Sequence, residues 1–306
     1  MLLRAISQIF AIIVLAYGGA SFGLDQPVKV AIIDTGVDLY HPHLQNRIFT
    51  TNGVANEKNY GEDHSFYDQV PTRPYDHNGH GTHIAGIIAK NAPKAHLYVF
   101  KYYHHLATGE ENLHSTISAL KAAIDANVDI INYSSGGPEK SRLEERLFKL
   151  ARRKGIIVVT AAGNSAMNVD HSESGFYPAS YHLDNIITVG AHDDHFNKVP
   201  SSNWGKGTVD LFAPGYKIKS AFPKFRTAEL TGTSQATAFV TSAVANILSR
   251  SKTKLSPNEV RRELKKFVSP SRLFSSKCSF GGVLDMEKMN SLNPQSTEIS
   301  LRVSSN

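Results

Sequence analysis

Six short stretches of the chain are apolar on nearly consecutive positions: residues 28–33, 97–101, 128–133, 156–161, 186–189 and 209–212. A strand that is apolar toward both faces is covered on both, so these runs predict a parallel sheet held between helices. Residues 82–90, 116–126 and 143–154 lie between the runs and read as helices. Strand alternating with helix predicts an α/β fold, a doubly wound parallel sheet with helices on both faces. Two more helices are predicted at 234–249 and 257–267. The first opens on small residues. The second is announced by Ser256-Pro257-Asn258-Glu259, a capping box with proline at the first helical position. No internal repeat is present.

The ends of the chain follow different rules. Arg4 is followed by an apolar run at 9–17 and by small residues at Gly18, Gly19, Ala20 and Ser21. That order predicts a secretory signal peptide over residues 1–23, cut after Ala20 or after Gly23. The run is short and is preceded by polar Ser7 and Gln8, which weighs against a membrane anchor. A secreted or periplasmic protein with no stable membrane partner is expected. Residues 24–290 then form one domain, and the serine-rich segment 291–306 is a polar tail. Residues 42–75, rich in Asn, Asp, Tyr and Pro, read as a long surface excursion. Cys278 is the single cysteine, so no intrachain disulfide can form. A formal charge of +6 is dispersed along the chain and not gathered with aromatics, which argues against a nucleic-acid partner.

Ligands of open α/β sheets bind beyond the carboxyl ends of the strands. The residues just past each predicted strand are therefore informative. Asp34-Thr35-Gly36 comes after the first, Ser134-Ser135-Gly136-Gly137 after the third, and Ala162-Gly163-Asn164-Ser165 after the fourth. Two helices open with reactive side chains, His80-Gly81-Thr82-His83 and Gly232-Thr233-Ser234. Each alone has an ordinary structural reading: a strand-end Asp caps a turn, a Gly-Thr-Ser caps a helix. Isolated imidazoles such as His41, His104 or His195 belong to the surface. Asp-Thr-Gly also occurs in aspartic proteases, but those need an all-β setting and a second carboxylate.

In combination and in this order, residues 32–37 (IIDTGV), 78–86 (NGHGTHIAG) and 232–238 (GTSQATA) resemble the subtilisin, or subtilase, family, where Asp, His and Ser follow one another along the chain. The resemblance runs from about residue 28 to 289 and implies a three-layer subtilisin-like fold and a serine endopeptidase. By resemblance Ser234 is the nucleophile, His80 its base and Asp34 the partner that orients His80. Asn164, in a segment similar to the family's oxyanion segment, would hold the tetrahedral oxyanion with the Ser234 N–H. His83 is expected to pack or hydrogen-bond behind the site. Ser134, Ser135 and Gly136 would line the substrate on one side, Ala161, Ala162 and Gly163 on the other. Gly281-Gly282-Val283-Leu284-Asp285 resembles a closing motif. Protein or peptide substrates, a monomer and no cofactor are implied.

Departures from the family shape further expectations. Gln235 stands where Met usually comes after the nucleophile, and Ala238 where Pro is usual; neither takes part in proton transfer. Few residues separate the predicted leader from the first strand, so there is no room for a propeptide. Unaided folding, a separate inhibitor or folding helper, or a different chain start would each account for that. Residues 88–93 pass directly from the His80 helix to the next strand, where many relatives insert a calcium loop, so no metal is expected there. The acidic stretch around Glu62 and Asp63 is left as another place for an ion. Phe176, before Tyr177-Pro178, stands where relatives often have glycine. Its ring either fills the primary pocket, favouring Ala, Val or Leu before the cut, or turns into the core and leaves the pocket deep. A non-catalytic binding module that keeps the fold, and an intracellular processing enzyme, are the competing readings.

Overall fold

The computed structural model describes residues 27–50, 53–54, 62–65 and 74–291. The expected leader (1–23), much of the excursion and the tail beyond Ser291 lie outside these residues. Along the chain run β1 (Lys29–Asp34), β2 (Phe49–Thr50), β3 (Gly53–Val54), β4 (Glu62–Asp63), α1 (His80–Asn91), β5 (His96–Lys101), α2 (Gly109–Asp125), β6 (Ile130–Tyr133) and α3 (Arg142–Lys154). Then come β7 (Ile157–Ala161), β8 (Ile186–His192), β9 (Leu211–Pro214), β10 (Ile218–Phe222), β11 (Arg226–Leu230), α4 (Thr233–Arg250), α5 (Pro257–Lys265), β12 (Val268–Pro270), β13 (Gly282–Leu284) and α6 (Met286–Ser291).

Nine strands form one sheet in the order β12-β13-β9-β8-β7-β6-β1-β5-β4. All of its neighbours are parallel except β12 and β13. Successive residues of a strand point to opposite faces, and β1 shows what consecutive apolar residues achieve. Val30 and Ile32 join a core with Ile84 and Ile88 of α1 and Val240 and Val244 of α4. Ala31 and Ile33 join another with Leu120 and Ile124 of α2 and Phe148 of α3. Burying each of the larger side chains is worth about 1.5–3 kcal/mol, and both sets are needed because both faces are covered. The three-layer α/β architecture expected from the sequence is the one observed.

Three expectations about the elements change. Helix α2 starts seven residues before position 116, because Thr108 accepts from Glu111 N while Glu111 accepts from Thr108 N in a capping box. Its polar first turn hid it from a search for apolar periodicity. The excursion carries structure: a 3₁₀ turn at Pro42–Leu44, the β2–β3 pairing, and β4 on the sheet edge. Buried Lys101 and Asp63, 3.4 Å apart, tie that edge to β5. Third, β10 and β11 pair as a hairpin against α1.

Arg47, near the start of the excursion, closes the carboxyl end of α1. Its guanidinium donates to the carbonyls of Ala89 (3.1 Å), Ala92 (2.9 Å) and Ala95 (3.1 Å); the Ala89 oxygen is one that the helix end leaves unpaired. The chain leaves β1 through α1 to β5 on one side and returns to β6 on the other side of β1. The topological switch point therefore lies between β1 and β6, and a crevice opens beyond their carboxyl ends.

Candidate active site

Asp34 is the last residue of β1 and is 3% exposed. Its Oδ1 accepts from the Thr35 N–H at 2.8 Å and lies 2.7 Å from His80 Nδ1. His80 is the first residue of α1. It reaches Asp34 because backbone meets backbone there: a methyl group on Gly81 would stand 2.2 Å from the Gly36 carbonyl oxygen. Gly79 just before it has φ +101°, and a methyl group there would strike the Phe222 ring at 2.2 Å. Glycine is required at both positions.

The environment of His80 acts on its charge in two directions. Burial opposes the imidazolium and is the largest single influence, but the charge of Asp34, its hydrogen bond and the charge of Asp76 together outweigh it. The net result is a pKa above that of an ordinary histidine. His83 is the opposite case. It is fully buried, its Nε2 lies 2.9 Å and 3.1 Å from the carbonyls of Ile218 and Ala228, and burial lowers its pKa. It is a neutral pin holding the β10–β11 hairpin on α1, behind the site as expected.

Ile33 and Tyr133 are partners in the β1–β6 register, so Asp34 and Ser134 leave neighbouring strands side by side. Ser134 in turn is bonded to Ser234 twice: Ser134 Oγ donates to the Ser234 carbonyl (3.2 Å), and Ser234 Oγ donates to the Ser134 carbonyl (3.1 Å). The register thus places Ser234, in the first turn of α4, at the carboxyl ends of β1 and β6, where Asp34 also lies. The serine hydroxyl is bonded to the Ser134 carbonyl and not to the imidazole. Gly232 precedes α4 in extended backbone, and a side chain there would crowd Gln235 Oε1 (3.2 Å) and the Asn164 amide (3.5 Å).

Asn164 comes after β7. Its Oδ1 accepts from the Thr233 N–H (3.0 Å) and the Thr233 hydroxyl (3.2 Å), which ties it to the start of α4. Ser135 and Gly136, with Gly137 and Pro138, border a cavity of about 830 Å³ that Tyr102 and Tyr103 close on another side. The Tyr102 hydroxyl donates to Ser135 Oγ at 2.6 Å. Ala161 and Ala162 are buried in the wall opposite. Phe176 lies between the walls. A methyl group on Gly136 would meet its ring at 2.5 Å, and one on Gly163 would meet it at 3.0 Å. The ring also packs on the small core that holds Ala162 and Phe212.

Sequence reasoning missed Asp76. It is buried and sits at the junction of β1 and α1. The signal that could have found it is its place ahead of a helix whose own N-cap is a glycine with no side chain to offer.

Comparison with known proteins agrees with this geometry. Residues 25–281 match the subtilase family, peptidase S8. The major intracellular serine protease of Bacillus subtilis (strain 168) is 35% identical over 250 residues, 78% of this chain and 74% of that protein. Subtilisin DY of Bacillus licheniformis is 34% identical over 246 residues, 78% of this chain and 82% of the relative. Among solved structures, a cold adapted subtilisin-like serine proteinase superposes with a TM-score of 0.71 at 26% identity, covering 84% of this chain and 88% of that one. A lanthipeptide protease shares the fold, with a TM-score of 0.72 at 22% identity over 88% of this chain and 87% of its own. With the family matched over most of its length and two curated relatives above thirty per cent, the chain belongs to the subtilase family and is a serine endopeptidase.

Proposed function

We propose that Ser234 is the nucleophile of this endopeptidase, His80 its general base and Asp34 the group that orients His80. The observation that carries the reading is the 2.7 Å contact of His80 Nδ1 with Asp34, beside the strand end that holds Ser234. A serine hydroxyl attacks a peptide carbonyl only as a base removes its proton. With its Nδ1 proton donated to Asp34, His80 presents Nε2 as that base. Swinging the Ser234 hydroxyl from the Ser134 carbonyl to Nε2 exchanges one neutral hydrogen bond, a cost of about 1 kcal/mol. As the Oγ–C bond forms, the substrate oxygen takes negative charge, which the Ser234 N–H and Asn164 Nδ2 meet at the positive end of α4. The C–N bond then breaks as His80 returns the proton to the leaving amine. Water, activated by the same imidazole, releases the acyl group.

The substrate lies as an extended strand along Ser134, Ser135 and Gly136, with Ala161, Ala162 and Gly163 as the facing wall and Phe176 filling the slot between. The enzyme acts as a monomer on protein or peptide chains, without a cofactor. We assign it to the secreted or periplasmic space on the order of charge, apolar run and small residues at 4–21; among the described residues no helix is long and apolar enough to cross a membrane. Sequencing the mature N-terminus tests the location, with an uncut Met1 counting against it. Casein cleavage and labelling by a fluorophosphonate test the chemistry. Ser234→Ala abolishes both while the protein still melts cooperatively, and His80→Ala loses activity on a comparable scale, about a million-fold as known for a subtilisin. A Ser234→Ala protein that cleaves casein at the wild-type rate refutes the assignment.

A further inference from the structure

Between β1 and α1 sits a carboxylate that the proton-transfer steps do not use. Asp76 is 9% exposed, and its two oxygens accept five hydrogen bonds. Oδ1 accepts from Thr35 Oγ1 (2.9 Å), Asn78 N (3.1 Å) and Gly79 N (2.7 Å). Oδ2 accepts from Thr82 N (2.8 Å) and Thr82 Oγ1 (2.5 Å). The donors belong to two different elements. Thr35 comes directly after β1, and its backbone N–H is the one that holds Asp34 Oδ1. Gly79 and Thr82 flank His80 at the start of α1. Two relays complete the junction: Thr35 Oγ1 accepts from Gly81 N at 2.9 Å, and Thr82 Oγ1 accepts from Asp38 N at 3.0 Å.

A helix beginning with glycine at its N-cap has no side-chain oxygen of its own for the first-turn N–H groups. Here that oxygen comes from four residues ahead of His80, and the same carboxylate also grips the residue next to Asp34. Asn78 Oδ1 accepts from His80 N (3.2 Å) and Thr35 Oγ1 from Gly81 N, while Phe222 and the Gly36 carbonyl block outward movement by contact. Asp76 is the one carboxylate in this set, and it bonds both the residue after Asp34 and the first turn of α1.

We propose that Asp76 is a positioning residue of the peptidase reaction, its carboxylate locking the start of α1 to the end of β1 so that His80 is held in one orientation between Asp34 and Ser234. The inference rests on the reading of His80 as the general base. Asp76 does not touch substrate; it acts through His80 in geometry and also in charge. The charged and titratable groups that act on His80 are Asp34 from β1, Asp76 from the preceding loop, and His83 one turn along α1. Thr233, Ser234 and Gln235, which open α4, carry no charge.

Asp76→Asn keeps the shape, removes the charge and turns an amide NH₂ toward donors. Its kcat falls about 10- to 100-fold, the scale of a base displaced by roughly 1 Å, with KM unchanged. Loss of a negative neighbour makes the His80 imidazolium less favourable, so the acid limb of kcat/KM moves to lower pH. Thr35→Val breaks the link to Asp76 and to Gly81 while keeping the charge, so its kcat falls with the acid limb in place. That difference between the two variants is what a merely structural brace would not produce. If Asp76→Asn retains wild-type kcat and pH profile and loses only melting temperature, the inference is overturned. If Asp76→Asn does not fold, Thr35→Val decides alone, and a wild-type kcat there overturns the inference equally. Ser234→Ala run alongside separates the two levels: residual activity in it condemns the triad reading, whereas an inactive Ser234→Ala beside an unaffected Asp76→Asn condemns only the role of Asp76.

Discussion

Replacing Phe176 by glycine should convert a closed primary slot into an open one. The ring stands 2.5 Å from where a Gly136 side chain would begin and 3.0 Å from where one on Gly163 would. Both walls are therefore filled by carbon that belongs to the enzyme and not to the substrate. Removing that ring leaves a gap the size of a benzyl group. A Phe side chain in a substrate then gains contacts that wild type denies it. An apolar pocket gains about 1–3 kcal/mol for each methylene it accommodates. Recovery of about 1.4 kcal/mol by a whole ring, near the lower figure, raises kcat/KM for Phe over Ala before the cut about ten-fold. The variant also loses stability. A fully buried Phe truncated to Ala costs about 3–5 kcal/mol; Phe176 is half-buried, so about half of that range is expected, as a lower melting temperature. The assay is a pair of peptides differing only in Ala or Phe before the scissile bond, each measured for kcat/KM in both proteins. The absolute rate on the Ala peptide should change little, because Ser234, His80 and Asn164 are untouched. A wild-type enzyme that already prefers Phe, or a variant whose ratio does not move, refutes the placement of the ring in the slot.

Other perturbations read out other parts of the site. Asn164→Ala should leave KM nearly unchanged and lower kcat about 100- to 1000-fold, or roughly 2.7–4 kcal/mol; a large KM change at normal kcat would make Asn164 a plain substrate contact. Because Asp34 and Asp76 hold the His80 pKa above its ordinary value of about 6.5, the base is protonated earlier on acidification. The acid limb of kcat/KM should then be centred above that value, and a flat profile from pH 5 to 8 would contradict it. Arg47→Met strands the Ala89 carbonyl and takes a donor from those of Ala92 and Ala95, and should cost about 1–3 kcal/mol at this half-buried position, seen in a denaturant melt with activity per folded molecule preserved. Chelator should lower the wild-type melting temperature by no more than a few degrees; a drop of tens of degrees would reveal a calcium site.

The parts of this structure that could be read in advance are those where one residue type has one reason to be present. Consecutive apolar residues in β1, β6, β7 and β8 have no use except in a strand covered twice. Ser256-Pro257-Asn258-Glu259 has no better role than starting α5, and there the capping box forms. The candidate site came into view through the resemblance of residues 32–37, 78–86 and 232–238, in that order, to the subtilase family; strand ends and helix starts alone left ordinary readings open. What escaped had an ambiguous local signal. Thr108 to Glu111 is also a capping box, but the polar turn behind it masked the start of α2. Residues 218–222 are too short and too mixed to name as a strand before their partner across a turn is known. Asp76 stayed hidden because its meaning lies in its bonds to two elements, Thr35 after β1 and Gly79 and Thr82 at the start of α1, which only the fold assembles. Phe176 could be named but not oriented, since a ring before Tyr177-Pro178 can face slot or core, and the glycines around it constrain its direction only in three dimensions.

The guanidinium at the end of α1 bears on how the protein responds to its surroundings. A helix end closed by a dissolved ion gains stability that grows with the logarithm of the ion's free concentration and vanishes on dilution. Arg47 is joined to the chain it stabilises, so its local concentration is set by a short tether and not by the medium. The charged hydrogens it commits to Ala92 and Ala95 cannot be competed away by a chelator or washed out by dialysis. The closure of this helix end by Arg47 is thereby set by the sequence and not by the medium.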